Sequence, residues 1–409
     1  MAQPSQPTTL NALFPEATLE EWNDWRWQMR HSIRSYEALT RVIDLTEDEH
    51  AGCRETRGIF RLGISPYYLS LIDRDHPSCP IRMQSIPLKA ESTVQEGELL
   101  DPLGEDPHRP VSAIIHKYPD RVVLLALDSC SVYCRHCTRR RITKGGEADL
   151  AKDELKKALD YIRAHAQIRD VIVSGGDPLL LSDGRLEELL SSLQSIPHVE
   201  MIRIGTRIPV CLPMRVTESL CQTIRRYAPV YVVTHFNHPK EVTAEARRAC
   251  ELLVDHGVPV ENQAVLMRRI NSSAALIKDL SHACLKMRVR PYYLHQMDLA
   301  QGLEHLRTPL NKGIEIMEAL RGHTSGMAVP HFAVDLPAGG GKVTVQPNYL
   351  LEKNSRRSVF RNYQGKPYIY PEPIEQDCEC PYEPVWRSQQ VKAVIQPSDS
   401  QLDRISKAS

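Results

Sequence analysis

Arg121-Val-Val-Leu-Leu-Ala-Leu-Asp-Ser129-Cys130-Ser-Val-Tyr-Cys134-Arg-His-Cys137 joins an apolar run to three closely spaced cysteines. The run is short and rich in Val and Leu, which predicts a buried strand. The cysteines then leave its C-terminal end on a loop, in a C-x3-C-x2-C pattern. Thiolates are soft donors suited to iron–sulfur clusters and to zinc. A structural zinc site usually joins one close cysteine pair to a second, distant pair. No good second pair stands nearby, the flanking cysteines being Cys79 and Cys211. Three ligands without a fourth suit a cubane cluster with one iron left open to a small molecule.

Downstream the pattern repeats. Strands are expected at 121–129, 170–174, 199–205, 230–236, 260–266 and 290–297. Helices are expected between them at about 151–166, 184–196, 217–228, 243–256 and 273–288. In the first helix Leu155, Ala158, Leu159 and Ile162 keep helical spacing, and His256-Gly257 is a stop signal. Alternating strands and helices imply parallel pairing with right-handed crossovers. The fold class is therefore α/β, a partial (β/α)6 TIM-like barrel. Chemistry in such barrels gathers where strands end, and reactive residues do follow these strands. After the first come the cysteines and Thr138-Arg139-Arg140-Arg141. After the second comes Ser174-Gly175-Gly176-Asp177, whose glycines would let backbone approach a ligand closely. His235 and Gln263 lie toward the ends of the fourth and fifth, and Asp298 follows the sixth.

The 409 residues allow one large domain with appendages. Residues 1–17 are expected to be disordered, and 18–115 form a helical and covering region. The barrel occupies 116–345, a small C-terminal extension with oligomer contacts 346–386, and a polar flexible tail 387–409. Trp22, Trp25 and Trp27 read as packing anchors, and Leu45-Thr-Glu-Asp-Glu49 as a helix start. Lys+Arg and Asp+Glu are balanced at 51 each, which gives no electrostatic draw toward nucleic acid or an anionic membrane. Scattered single cysteines and the absence of a signal-like N-terminus lead to the expectation of a reducing, cytoplasmic setting.

A further strand is expected at 329–336, running into Pro337-Ala-Gly-Gly-Gly-Lys342. A phosphate loop would need a glycine where Leu336 stands and Ser or Thr where Val343 stands, so that reading fails. A lysine presented by glycines can instead form a Schiff base with an aldehyde cofactor. Spacing alone leaves an ordinary solvent-facing lysine equally open.

Several longer motifs bear on that choice: Trp22-Asn-Asp-Trp-Arg-Trp-Gln28, Ser65-Pro-Tyr-Tyr-Leu-Ser-Leu-Ile-Asp73, the cluster loop, Ser174 to Asp177, Thr234-His-Phe-Asn-His-Pro239, Arg290-Pro-Tyr-Tyr-Leu294, Arg321-Gly-His-Thr-Ser-Gly326 and Asp335 to Lys342. Together they resemble the lysine 2,3-aminomutase family, radical S-adenosylmethionine (SAM) enzymes that also use pyridoxal phosphate (PLP). The resemblance implies that Cys130, Cys134 and Cys137 bind a [4Fe–4S] cluster and that Lys342 holds PLP. It places Lys117, Tyr118 and Arg121 at PLP, and His136, Ser174, Gly175, Gly176 and Asp177 beside SAM, with His235 and Gln263. Arg139 would pair with the substrate carboxylate, and Asp298 and Asp335 with the ammonium at its far end. Lys117 stands where the family has arginine, and Ala338 replaces one loop glycine. Of the family's zinc cysteines Cys378 and Cys380 remain, with Glu383 near the third position, so zinc is not expected to be held stoichiometrically. The implied activity is an isomerisation of L-lysine to L-β-lysine by radical-initiated amino migration, with arginine or glutamate as alternative substrates. A flavodoxin- or ferredoxin-like electron donor and a homo-oligomer (dimer or tetramer) are implied as well.

Overall fold

A computed structural model describes residues 14–143 and 150–375. Cys378, Cys380 and Glu383, with the zinc expectation attached to them, lie outside these residues, as do the tail 387–409 and most of 1–17. The chain divides into two compact units, Met1–Pro347 and Asn348–Ser409.

The first unit is built on a nine-stranded sheet whose spatial order follows the sequence. Its strands are β1 (Ile114–Tyr118), β2 (Arg121–Leu127), β3 (Asp170–Gly175), β4 (Met201–Gly205), β5 (Val230–Thr234), β6 (Val260–Leu266), β7 (Arg290–Gln296), β8 (His331–Leu336) and β9 (Gly341–Thr344). Strands β2 through β8 pair in parallel. The two end strands are antiparallel, β1 on β2 and β9 on β8. Helix-covered parallel strands bury apolar side chains, as in the Val and Leu run of β2, whereas β6 alternates buried and part-buried residues and carries Glu261, Asn262 and Gln263. The covering helices are α1 (Lys152–Ala164), α2 (Asp183–Gln194), α3 (Glu218–Arg226), α4 (Ala244–Asp255), α5 (Ala274–Lys286) and α6 (Leu310–Leu320). In α1 the buried residues are Leu155, Ala158, Leu159 and Ile162, as their spacing predicts. The stop after α4 takes the expected form, with Gly257 at φ +77° and its N–H bonded back to Val254.

The expected six parallel strands become seven. The run at 329–336 enters the barrel as β8, paired with β7 through Tyr293 and His331. Its crossover helix α6 packs directly on it at Gly313, where a Cβ would lie 2.1 Å from the Phe332 ring. The sheet still does not close through its backbone. Between the end strands β1 and β9 the link is a side chain, the Tyr118 hydroxyl accepting from the Lys342 N–H at 2.8 Å.

The N-terminal region consists of short helices of five to nine residues rather than long ones. The expected start at Thr46 is a capping box with Glu49, and Glu49 also takes the buried Arg82 on both oxygens at 2.6 Å. Trp22 and Trp27 pack with Tyr67 in a separate apolar cluster, with Phe14 against it, so they serve as anchors. The second unit carries an antiparallel meander, β10 (Leu350–Lys353), β11 (Arg357–Arg361) and β12 (Pro367–Pro371).

Candidate active site

The loop leaving β2 is held by backbone from the N-terminal region. Val132 bridges to Ile64, the Tyr133 N–H bonds to the Gly63 carbonyl at 2.9 Å, and the Arg135 N–H to that of Gln84 at 2.8 Å. Arg135 is fully buried and grips Glu91 through Nε and Nη2. Arg140 reaches the same carboxylate at 2.5 Å. Burial pushes the Glu91 carboxyl up, but the two guanidiniums outweigh it and leave it below its ordinary range.

Cys130, Cys134 and Cys137 are all free thiols on this loop. Burial raises the Cys130 thiol, and its neighbours Cys137 and Cys134 raise it further. Cys137 is pushed up to about 11 by burial and by Cys134. Thiols that crowd and repel one another suit cations placed among them, so the donor set fits a cluster. Among the described residues no three Cys, His, Asp or Glu side chains close around a single ion. Ligands that stand each on a separate iron do not need to. Arg207, just past β4, donates to Cys134 Sγ at 2.7 Å. Its Nη2 also meets Gln84 and Glu241 at 2.6 Å each.

His136 is buried, with Nε2 at 3.3 Å from Asn237 Nδ2 and Nδ1 without any partner. Burial, then Arg207 and His235, lower its pKa, so the ring is neutral. An unpartnered buried nitrogen beside the cysteines leaves room for a bound ligand there. His235 is pushed down to about 3 by burial, then by Arg207 and Arg139, and meets Gln263 at 3.2 Å.

The Ser174 to Asp177 turn, expected beside SAM, packs on the root of the cysteine loop. A Cβ on Gly175 would lie 2.3 Å from the Leu127 carbonyl, and one on Gly176 2.2 Å from that of Ser129. The turn is bonded to the same backbone, Gly176 N–H to Leu127 and Asp177 N–H to Ser129. The glycines therefore let β3 clamp the root of the cysteine loop. Asp177 directs its carboxylate to the Thr206 hydroxyl, the Arg207 N–H and the Leu179 N–H, which fixes the end of the turn. Burial, opposed by these bonds, pushes it up to about 6. Gly176→Ala is expected to cost about 1–3 kcal/mol by overpacking. Denaturant unfolding midpoints would check this, and iron bound per chain after reconstitution should fall with it.

Across the mouth Arg139 meets Glu105, with Nη2 at 2.7 Å and Nε at 3.0 Å from Oε1, while Nη1 reaches Ser174 Oγ at 3.2 Å. Asp298 accepts from the Thr138 hydroxyl at 2.8 Å. Burial and the neighbouring Asp335 push Asp298 up to about 6. Asp335 takes Lys342 Nζ at 2.5 Å, and His295 Nδ1 stands 3.1 Å from the same amine.

Lys342 sits at the seam between β1 and β9. Tyr118 accepts from its backbone, the Arg121 guanidinium stacks on the Tyr118 ring at 4.0 Å, and Lys117 Nζ lies 5.9 Å from that ring. Two cations beside a hydroxyl, next to an amine carried by a glycine turn, fit an aldehyde bearing a phosphate. In that turn Ala338 adopts φ +53° between the strand and the glycines at 339 and 341.

The sequence reading passed over His295, Glu105 and Arg207. His295 could have been found by strand alternation from Tyr293, and Arg207 by treating the third strand's end like the others. Glu105 carries no spacing signal.

Comparison with known proteins adds to this geometry. Residues 125–276 match the model of the radical SAM superfamily, and residues 317–401 the model described as lysine-2,3-aminomutase. The chain is 52% identical over 365 residues to L-lysine 2,3-aminomutase of Fusobacterium nucleatum, covering 89% of this chain and 86% of that one. It is 49% identical over 370 residues to L-lysine 2,3-aminomutase of Clostridium subterminale, covering 90% and 89%. Glutamate 2,3-aminomutase of Clostridioides difficile is 44% identical over 349 residues, covering 85% and 82%.

Proposed function

The chain belongs to the lysine 2,3-aminomutase family of radical SAM enzymes, and on that premise we propose that it interconverts L-lysine and L-β-lysine using a [4Fe–4S] cluster, SAM and PLP. The observation that best supports the substrate is the pair Asp298 and Asp335, near enough for Asp335 to disfavour the charge of Asp298. Such a pair welcomes an ammonium and repels the side-chain carboxylate of glutamate. When bound, the cluster and SAM supply a 5′-deoxyadenosyl radical, and PLP holds the migrating nitrogen and delocalises the unpaired electron.

The protein's share is positioning. Cys130, Cys134 and Cys137 would each hold one iron, and His136, the Ser174 to Asp177 turn, His235 and Gln263 would line the SAM side. Lys342 carries the aldehyde, with Lys117, Tyr118 and Arg121 at its phosphate. Arg139 keeps one edge of its guanidinium on Glu105 and offers the other to the substrate carboxylate. With Asp298 and Asp335 at the far end, three charges fix the reacting carbon, and orientation of that kind removes a large part of a barrier. Exposed Tyr368, Ile369 and Tyr370 on β12 support assembly into a homo-oligomer through the second unit.

Anaerobic turnover of lysine, arginine and glutamate, with chromatographic detection of the β-isomers, tests the reading. β-Lysine is the expected main product, and β-glutamate or β-arginine in its place would overturn the substrate. A pH series adds a second check. Asp298 titrates near 6 and pairs an ammonium only when ionised. The KM for lysine is therefore expected to rise as pH falls through about 6, approaching tenfold per unit below it. A KM flat from pH 7 to 5 would remove Asp298 from the ammonium site.

A further inference from the structure

The cysteine loop has a second side. A cleft of about 650 Å³ is lined by Arg34, Arg54, Arg57 and Arg61, with Glu37 the one acid among its lining residues. No lining residue belongs to a barrel strand; the walls come from the N-terminal region and from Tyr133, the residue before Cys134. Arg34, Arg54 and Arg57 are exposed.

The floor of this cleft is fastened to the cysteine loop. Besides the backbone bond from Tyr133 to Gly63, Arg61 Nη1 donates to the Tyr133 hydroxyl at 3.0 Å. The Phe60 ring meets the Tyr133 ring edge-on at 5.9 Å. A Cβ on Gly63 would lie 2.5 Å from the Tyr133 ring, so the two segments touch without a gap. The Arg135 guanidinium, one residue past Cys134, lies 4.7 Å from the Phe60 ring. Whatever enters the cleft comes to within one residue of a cysteine expected to ligate iron.

We propose that this cleft is the docking surface for a small acidic one-electron carrier protein, an inference that rests on the radical SAM reading above. The cluster must be reduced from outside, and the barrel mouth is taken by SAM, PLP and the amino acid. The arginine cleft reaches the same loop from the other side. In the step it serves, the carrier gives up one electron and the oxidised cluster gains it, with no bond made or broken in the protein. Guanidiniums match carboxylates geometrically. Electron-transfer encounters are small, transient and steered by opposite charge, which suits a rim of arginines rather than a large apolar face.

The test reverses two rim charges, Arg54→Glu with Arg57→Glu, in the full chain with its cluster reconstituted anaerobically. Neither residue belongs to the cluster, SAM or PLP machinery. Stopped-flow bleaching of the cluster is read with reduced flavodoxin, an acidic one-electron carrier, and separately with dithionite. The expected result is a second-order rate constant with flavodoxin at least tenfold lower at low salt, with less than a twofold change under dithionite. The steep salt dependence of the native protein should also flatten. Equal rates with flavodoxin in both proteins would overturn the proposal, as would equal slowing under dithionite. Saturable calorimetric binding of inorganic phosphate, abolished by the double change while flavodoxin rates stay equal, would overturn it in favour of a small-anion site. If the flavodoxin effect appears but no β-lysine forms with either reductant, the docking surface stands and the substrate reading fails.

Discussion

Cys134→Ser is expected to yield a folded chain in which reductive cleavage of SAM, followed as 5′-deoxyadenosine formed under dithionite, drops by at least about a thousandfold. The exchange replaces a soft thiolate by a hydroxyl that does not ionise near neutral pH and is a poor iron ligand. It leaves the supports of the loop in place. The bridge from Val132 to Ile64, the bonds of Tyr133 and Arg135 to Gly63 and Gln84, and the Arg135–Glu91 pair do not use the sulfur. Arg207 loses its sulfur partner but keeps Gln84, Glu241 and Tyr68. The control is Cys250→Ser, at a fully buried position on α4, which should retain the cluster's absorbance and iron. A Cys134→Ser protein with native iron content and native SAM cleavage would remove this residue from the cluster.

Asp298→Asn and Asp335→Asn are each expected to raise the KM for lysine by about a hundredfold, in line with roughly 2–5 kcal/mol for truncating one partner of a buried, hydrogen-bonded charge pair. The kcat should fall as well if the reacting carbon is displaced. In the cofactor-free geometry Asp335 is matched by Lys342 Nζ at 2.5 Å. That contact shows that the Asp335 carboxylate accepts an ammonium, the group the far end of the substrate would present. Asp298 is held by Thr138 and waits for the same charge. Reconstitution with PLP and SAM cleavage should survive both changes, separating substrate loss from cofactor loss. Lysine kinetics untouched by both, or efficient glutamate turnover by the unaltered protein, would defeat the assignment.

The sequence makes legible whatever depends on local pattern. The alternation of short strand-like and helix-periodic segments is local, so β2 through β7 fall close to their expected places. The cysteines and Lys342 are found from spacing and flanking residues. Contacts between segments far apart in the chain are not legible. Arg139 and Glu105 are joined only because the loop before β1 folds over the mouth, and no periodicity encodes that. Gly175 and Gly176 signal a close backbone approach without saying to what. Here the approach is to Leu127 and Ser129. The seventh parallel strand was seen as a strand, yet its partner depends on α6 lying flat against Phe332, which a glycine at 313 permits and a hydropathy pattern does not record.

The seam bridged by Tyr118 has a consequence for how the barrel breathes. Everywhere else, parting two neighbouring strands means breaking several ladder bonds together. Between β1 and β9 a single hydroxyl-to-amide bond spans the gap, worth about 1 kcal/mol net. Opening there is a low-energy local fluctuation, decoupled from global unfolding. The amide of Lys342 thus sits on the weakest line of the sheet, where hydrogen exchange is fast until something rigid fills the gap. An aromatic ring anchored on Lys342 and tied by its phosphate to the β1–β2 hairpin would be such a filler, and a cofactor held there would also serve as the stave that shuts the barrel.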